Sequence, residues 1–159
     1  MTFRTKAELL TAKERNYEVF LKAVADISNA QIESTPEPVS EDWTLKDVVA
    51  HVAYWETSLA KALLTLLLED APFPYFDSYD RINAFSTALR RKHSLTEVLA
   101  ELKTAHSDVT AIIEELVTDA MLDQRVPIAY PSRVEHRALS KVFTSYIEHY
   151  VEHAAQIRG

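Results

Sequence analysis

The sequence predicts an all-α fold, an antiparallel four-helix bundle, and three observations carry that prediction. Four stretches of about 20 residues repeat apolar side chains at helical spacing. Three of them open on a Ser or Thr followed three residues later by Glu or Asp, the reciprocal cap of a helix N-terminus. The 159 residues include a single glycine, which leaves little material for tight hairpins, bulges or left-handed turns.

The first helix is expected over residues 5–27. Thr5-Lys6-Ala7-Glu8 caps it, and Leu10, Tyr17, Phe20, Leu21, Val24 and Ile27 form its apolar face. The Pro-containing stretch 34–40 follows as a linker. A second helix opens at Thr44-Leu45-Lys46-Asp47. Trp43 before the cap and Val48 after it make a hydrophobic staple, and Val48, Val52, Trp55, Leu59, Leu63 and Leu66 form the buried stripe. This helix ends before Asp70-Ala71-Pro72-Phe73-Pro74, which reads as a loop.

A shorter helical stretch near 81–91 precedes the third long helix, which begins at Ser94-Leu95-Thr96-Glu97 and runs its stripe through Leu95, Leu99, Leu102, Val109, Ile113 and Leu116. Residues 118–137 show no helical period. Within them 125–130 looks extended, although Pro127 weakens a strand there. The fourth helix is expected over 139–157, with Leu139, Phe143, Tyr146, Tyr150 and Ile157 on one side. No repeat or boundary interrupts the chain, so 1–159 reads as one domain.

Composition removes several function classes. With one glycine there is no Gly-rich phosphate loop. Seventeen basic against 24 acidic side chains give a net charge of −7, the reverse of a nucleic-acid-binding balance. The short cluster Arg90-Arg91-Lys92-His93 reads as charge complementation at a helix C-terminus. There is no cysteine, hence no disulfide, thiolate metal site or protein-borne thiol nucleophile. The start of the chain has no apolar signal segment, and the longest apolar run, 62–68, is broken by Thr65 and too short to span a bilayer. The expectation is a cytoplasmic protein with neither a membrane nor a nucleic-acid partner.

The histidines are the most informative polar residues. His149 and His153 are four apart on the fourth helix, so they differ by only about 40° in direction and stand one above the other. His51 sits at the margin of the second helix's stripe. Histidines leaning into one bundle interior can meet at a point, and three neutral nitrogens leave coordination positions open for water or substrate. The same spacing also arises from two half-exposed surface histidines. His106, between Leu102 and Val109, reads as a hydrogen-bonded core or pocket-wall residue rather than a ligand.

The run from Trp43 to Glu56 resembles the W-[ST]-x-x-[DE]-x-x-x-H-x-x-x-x-E-like helix of the DinB-like superfamily. His149-Tyr150-Val151-Glu152-His153-Ala154-Ala155-Gln156-Ile157 resembles that superfamily's closing H-x-x-x-H-x-x-Q-I helix. The likeness extends over nearly the whole chain, through 27–31 and 94–99. It implies a four-helix bundle with a divalent metal on three histidines, here His51, His149 and His153, often in a homodimer. It also brings examples that use bacillithiol or mycothiol, as S-transferases or as a maleylpyruvate isomerase, beside many members named only for DNA-damage induction.

The resulting expectation is a metal-dependent enzyme acting on a small molecule, a thiol-dependent S-transferase or a hydrolase. Zinc, nickel or iron would suit the nitrogen donors, and a low-molecular-weight thiol would have to come from outside. Asp47, one turn before His51, and Glu152, beside His153, are candidates to orient a ligand ring or act as a base. Tyr54, Trp55, Asn83, Arg90, His106, Tyr146 and Gln156 are weaker candidates for lining a substrate pocket. The competing expectation is a non-catalytic dimeric bundle that binds a metal or ligand in a stress response.

Overall fold

The computed structural model describes residues 2–27, 43–74 and 79–158; the expected linker at 34–40 lies outside them. Helix α1 spans Lys6–Ala25, α2 Leu45–Glu69, α3 Tyr79–Arg90, α4 Leu95–Leu116, α5 Asp119–Leu122 and α6 Leu139–Arg158. The three predicted caps are all present. Thr5, Thr44 and Ser94 each accept from the backbone N–H three residues on, and Glu8, Asp47 and Glu97 reach back to the cap. Each cap contributes about 1 kcal/mol to the helix it starts. Helix α2 ends where Asp70 turns left-handed at φ 52°, a role that glycine usually takes and that a short polar side chain tolerates.

The fold is mostly helical but not strictly all-α. Strands β1 (Phe73–Pro74), β2 (Arg125–Tyr130) and β3 (Arg133–Ala138) form a small sheet in the order β1-β2-β3, with β1–β2 parallel and β2–β3 antiparallel. The weight placed on Pro127 against a strand was too heavy. The two-residue β1 pairs only with Ile128 and Ala129, so at Pro127 the strand has one neighbour rather than two, as on an edge. Phe73 and Ile128 turn inward from the sheet and join the core.

The bundle is not a simple up-and-down one. Helix directions follow from the cross-helix contacts. Lys6 of α1 reaches Glu114 at the far end of α4 and Asp119 at the start of α5, so α1 and α4 are antiparallel. Asn16 donates to the Ile147 carbonyl and Arg158 to the Val19 carbonyl, so α1 and α6 run parallel. Helices α2 and α4 also run parallel: Val49 and Val98 share one core cluster, Leu63 and Ile113 the other. An up-down-up-down bundle would set α1/α6 and α2/α4 antiparallel; here both of those pairs run parallel, while α1/α4 and α2/α6 run antiparallel. Helix α3 makes the difference, because it carries the chain back along α2. Asn83 meets Trp55, and Lys46 reaches the carbonyls of Arg91 and His93.

Two buried apolar clusters result, one at each end. The first joins the start of α1 and α6 to the ends of α2 and α4, around Leu9, Leu63, Ile113 and Phe143. The second joins Phe20, Val48, Leu102 and Tyr150 at the other end. Antiparallel pairing of α2 with α6 is what sets an early α2 residue, His51, against the late α6 residues His149 and His153.

Candidate metal centre

His51 lies on α2 between Val48 and Val52, both buried, and is itself 5% exposed. His149 and His153 come from α6 at its half-buried margin. Their separation of one helical turn brings the two rings together edge-on, with centroids 4.3 Å apart and planes at 85°. His51 stands against both, at 4.9 Å from the His149 ring and 4.8 Å from the His153 ring. Trp43 covers His51 at 5.2 Å, and Trp55 approaches it edge-on at 6.3 Å.

The ring nitrogens converge. His149 Nε2 is 2.9 Å from His51 Nε2 and 2.9 Å from His153 Nε2, and one nitrogen of each ring lies within 4.8 Å of the others. All three rings are held neutral. Burial, then the neighbouring His153, lowers His51 from 6.5 to about 3. His149 is held well below 6.5 by burial and by the other two imidazoles. Burial lowers His153 as well, against the pull of Gln156.

Proton accounting shows what such a cluster lacks. A neutral imidazole nitrogen carries either one N–H or one lone pair, yet His149 Nε2 faces two other nitrogens at hydrogen-bond distance. Its single N–H or lone pair can satisfy only one of them. A cation at the centre would accept all three lone pairs. Ligand nitrogens about 2.0–2.1 Å from zinc stand a little more than 3 Å apart in a tetrahedral site, close to the two 2.9 Å separations from His149, with all three nitrogens within 4.8 Å of one another. The donor set therefore fits a divalent ion held by His51, His149 and His153. With its Nε2 turned inward, His51 has its Nδ1 buried and without a hydrogen-bond partner among the described residues.

Gln156 has a different place from the one expected of a pocket residue. Its Oε1 accepts from His153 Nδ1, which leaves the lone pair of that ring on Nε2, facing the cluster. Asp47 does not reach His51. Its carboxylate accepts from the backbone N–H and hydroxyl of Thr44 and stands 3.7 Å from Arg91. Glu152 points to solvent. Trp55 Nε1 donates to Asn83 Oδ1 at 3.0 Å, so Asn83 supports the wall beside His51. Arg90 holds Glu101 with two guanidinium nitrogens and lies 5.4 Å over the Tyr54 ring. Tyr146 packs edge-on against Phe73 at 6.2 Å, and burial, with the charge of Glu56, pushes its hydroxyl above the ordinary range. His106 belongs to a second polar cluster around Lys13 and Glu56, as a hydrogen-bonded interior residue.

The sequence reading missed Trp43 as a cover for His51, Gln156 as a partner of His153, and the Lys13–Glu56 pair. The last had a readable signal. Leu9, Lys13, Asn16 and Phe20 keep buried helical spacing, as do Val52, Glu56, Leu59 and Leu63, so each helix carries one charge on its core stripe.

No curated protein sequence matches this chain. Among solved structures, YfiT from Bacillus subtilis, titled "a probable metal-dependent hydrolase with an unusual four-helix bundle topology", is 20% identical. The match covers 99% of this chain and 86% of that one, with a TM-score of 0.73. A mycothiol-dependent maleylpyruvate isomerase is 18% identical, with 99% of this chain and 63% of that one covered and a TM-score of 0.76. The colibactin self-resistance protein ClbS, solved with double-stranded DNA, is 13% identical, with coverage of 99% and 96% and a TM-score of 0.77. The DNA in that complex runs mildly against the expectation that this chain has no nucleic-acid partner, though at such identities the likeness speaks for the fold alone. A sequence model described as the DinB superfamily matches residues 12–157, which include all three histidines and both of their helices. The chain belongs to the DinB superfamily.

Proposed function

We propose that the protein is a divalent-metal-dependent enzyme acting on a small molecule, either a thiol-dependent S-transferase or a hydrolase. The observation that carries this reading is the convergence of three neutral imidazole nitrogens from two helices, with no carboxylate or thiolate among them. Three nitrogen donors leave coordination positions free, the pattern of a reactive rather than a closed structural site. What a divalent ion supplies when bound is Lewis acidity that ionises a thiol or water at neutral pH.

The chain's own residues do the rest. His51, His149 and His153 present lone pairs, Gln156 fixes the His153 tautomer, and Trp43 and Trp55 shield His51. With no cysteine in the sequence, a thiol comes from a cosubstrate. The neighbours described as a probable metal-dependent hydrolase and a mycothiol-dependent maleylpyruvate isomerase support the hydrolase branch and the use of a thiol, respectively. The acidic balance of −7 favours a small-molecule substrate over a polyanion. Among the described residues no helix is long and apolar enough to cross a membrane. A cytoplasmic setting and a homodimer complete the proposal.

The test is a panel of thiol-transfer and hydrolysis assays on protein loaded with zinc, nickel or iron. Turnover that needs the metal and disappears in His51→Ala supports the enzyme. Stoichiometric metal binding without turnover on any thiol or ester would instead favour a non-catalytic metal-binding bundle.

A further inference from the structure

A second polar cluster crosses the bundle interior, built from three helices and closed by a fourth. The side chains of Lys13 on α1 and Glu56 on α2 are 3% and 4% exposed, with Lys13 Nζ 2.9 Å from Glu56 Oε1. The same ammonium is 2.6 Å from His106 Nδ1 and 3.0 Å from the His106 carbonyl oxygen. The ammonium thus makes two hydrogen bonds to His106 and an ion pair with Glu56. Because His106 Nδ1 accepts, the ring proton sits on Nε2, which is 3.0 Å from Glu14 Oε2. The Glu14 side chain is 58% exposed. Tyr17 stacks on the imidazole at 3.7 Å, and the Tyr150 hydroxyl lies 3.4 Å from Nδ1.

A continuous line of two hydrogen bonds and one ion pair therefore runs from a solvent-facing carboxylate through one imidazole and one ammonium to a buried carboxylate. A buried ion pair by itself adds little net stability over well-packed apolar side chains. This one continues into a histidine, the side chain that exchanges protons near neutral pH, and from there to water. We propose that Glu14, His106, Lys13 and Glu56 form a proton relay between solvent and the bundle interior.

In the outward step an N–H bond of Lys13 breaks as an N–H bond forms at His106 Nδ1. The Nε2–H bond of His106 breaks as an O–H bond forms on Glu14, which releases the proton to water. Glu56, a carboxylate in the resting ion pair, first takes a proton from the thiol or water of the proposed reaction as its O–H bond forms. That O–H bond then breaks as Lys13, left as the neutral amine, regains its N–H, and Glu56 returns to the carboxylate. The reverse sequence brings a proton in and restores the starting tautomer. The groups facing the line are Tyr17 from α1 and Tyr146 and Tyr150 from α6, all with hydroxyls that burial raises above their ordinary value. They stay protonated while the relay works. Its use rests on the metal-dependent reading above: ionising a thiol or water at the histidine cluster releases a proton inside the bundle, and Glu56 sits on the same helix as His51.

The experiment uses metal-free full-length protein labelled with ¹⁵N and follows exchange of the Lys13 ammonium protons with solvent by NMR. The variants are His106→Gln and Glu14→Gln, each checked for stability in urea. Glu14→Gln alters an exposed side chain and leaves the buried pair in place. The relay predicts a neutral His106 protonated on Nε2, and Lys13 exchange on the order of tenfold or more faster in the parent than in either variant. Equal exchange in the parent and Glu14→Gln, or a His106 ring protonated on Nδ1, would overturn it. Zinc uptake, measured separately, shows whether the metal reading stands or falls apart from the relay.

Discussion

The two polar clusters inside this bundle differ in what they lack. Around Lys13 the charges match: the ammonium makes two hydrogen bonds to His106 and pairs with the Glu56 carboxylate, and the imidazole divides its two nitrogens between Lys13 and Glu14. Around His51 they do not match, since three nitrogens of one kind converge with no opposite charge among them. A buried polar group is stable in the fold when its partners come with it. The first cluster brings its partners from four helices of the same chain. The second needs one from outside, and this difference separates a structural or proton-carrying network from a ligand site.

The largest expected effect lies in the self-satisfied cluster. Replacing Glu56→Leu strands a buried ammonium and should cost about 3–5 kcal/mol in urea unfolding, whereas Lys13→Met combined with Glu56→Leu should recover most of that loss. A single replacement that costs less than about 1 kcal/mol would show that the pair is not buried in solution. Next comes the support of the metal site. Gln156→Ala frees the His153 ring and should weaken metal affinity by about 10–100-fold, with little change in the stability of the metal-free protein. Unchanged affinity would remove Gln156 from the site.

The smallest effect is a pH dependence. Burial, and then the Lys13 ammonium, hold His106 below its ordinary value of 6.5, against the opposing pull of Glu14 and Glu56. The fold prefers the neutral ring, so this contribution is complete above pH 6.5 and is lost as pH falls below it. Urea midpoints across that range should fall less steeply in His106→Gln than in the parent. Parallel curves would place the acid sensitivity elsewhere.

Much of this was legible in the sequence, for local reasons. Caps at Thr5, Thr44 and Ser94 act within one turn, so their motifs marked the helix starts to within a residue. His149 and His153 share a helix, and their spacing alone fixed that they meet. What was not legible depends on direction in space. That α3 doubles back and makes α2 parallel to α4 follows from no periodicity, and neither does the pairing of a two-residue β1 with β2. Lys13 and Glu56 lay on core stripes in plain view, but only the packing of α1 against α2 shows that each is the other's partner. Asp47 read equally well as a cap and as a partner of His51, since one carboxylate one turn away suits both; the hydrogen bonds to Thr44 decide for the cap.

The central claim is that His51, His149 and His153 form a metal site, and calorimetric titration with zinc tests it most directly. Metal-free parent protein should bind one zinc ion per chain, and the His51→Ala/His149→Ala/His153→Ala variant, folded by circular dichroism, should bind none. Equal uptake by the parent and the folded triple variant would contradict the claim.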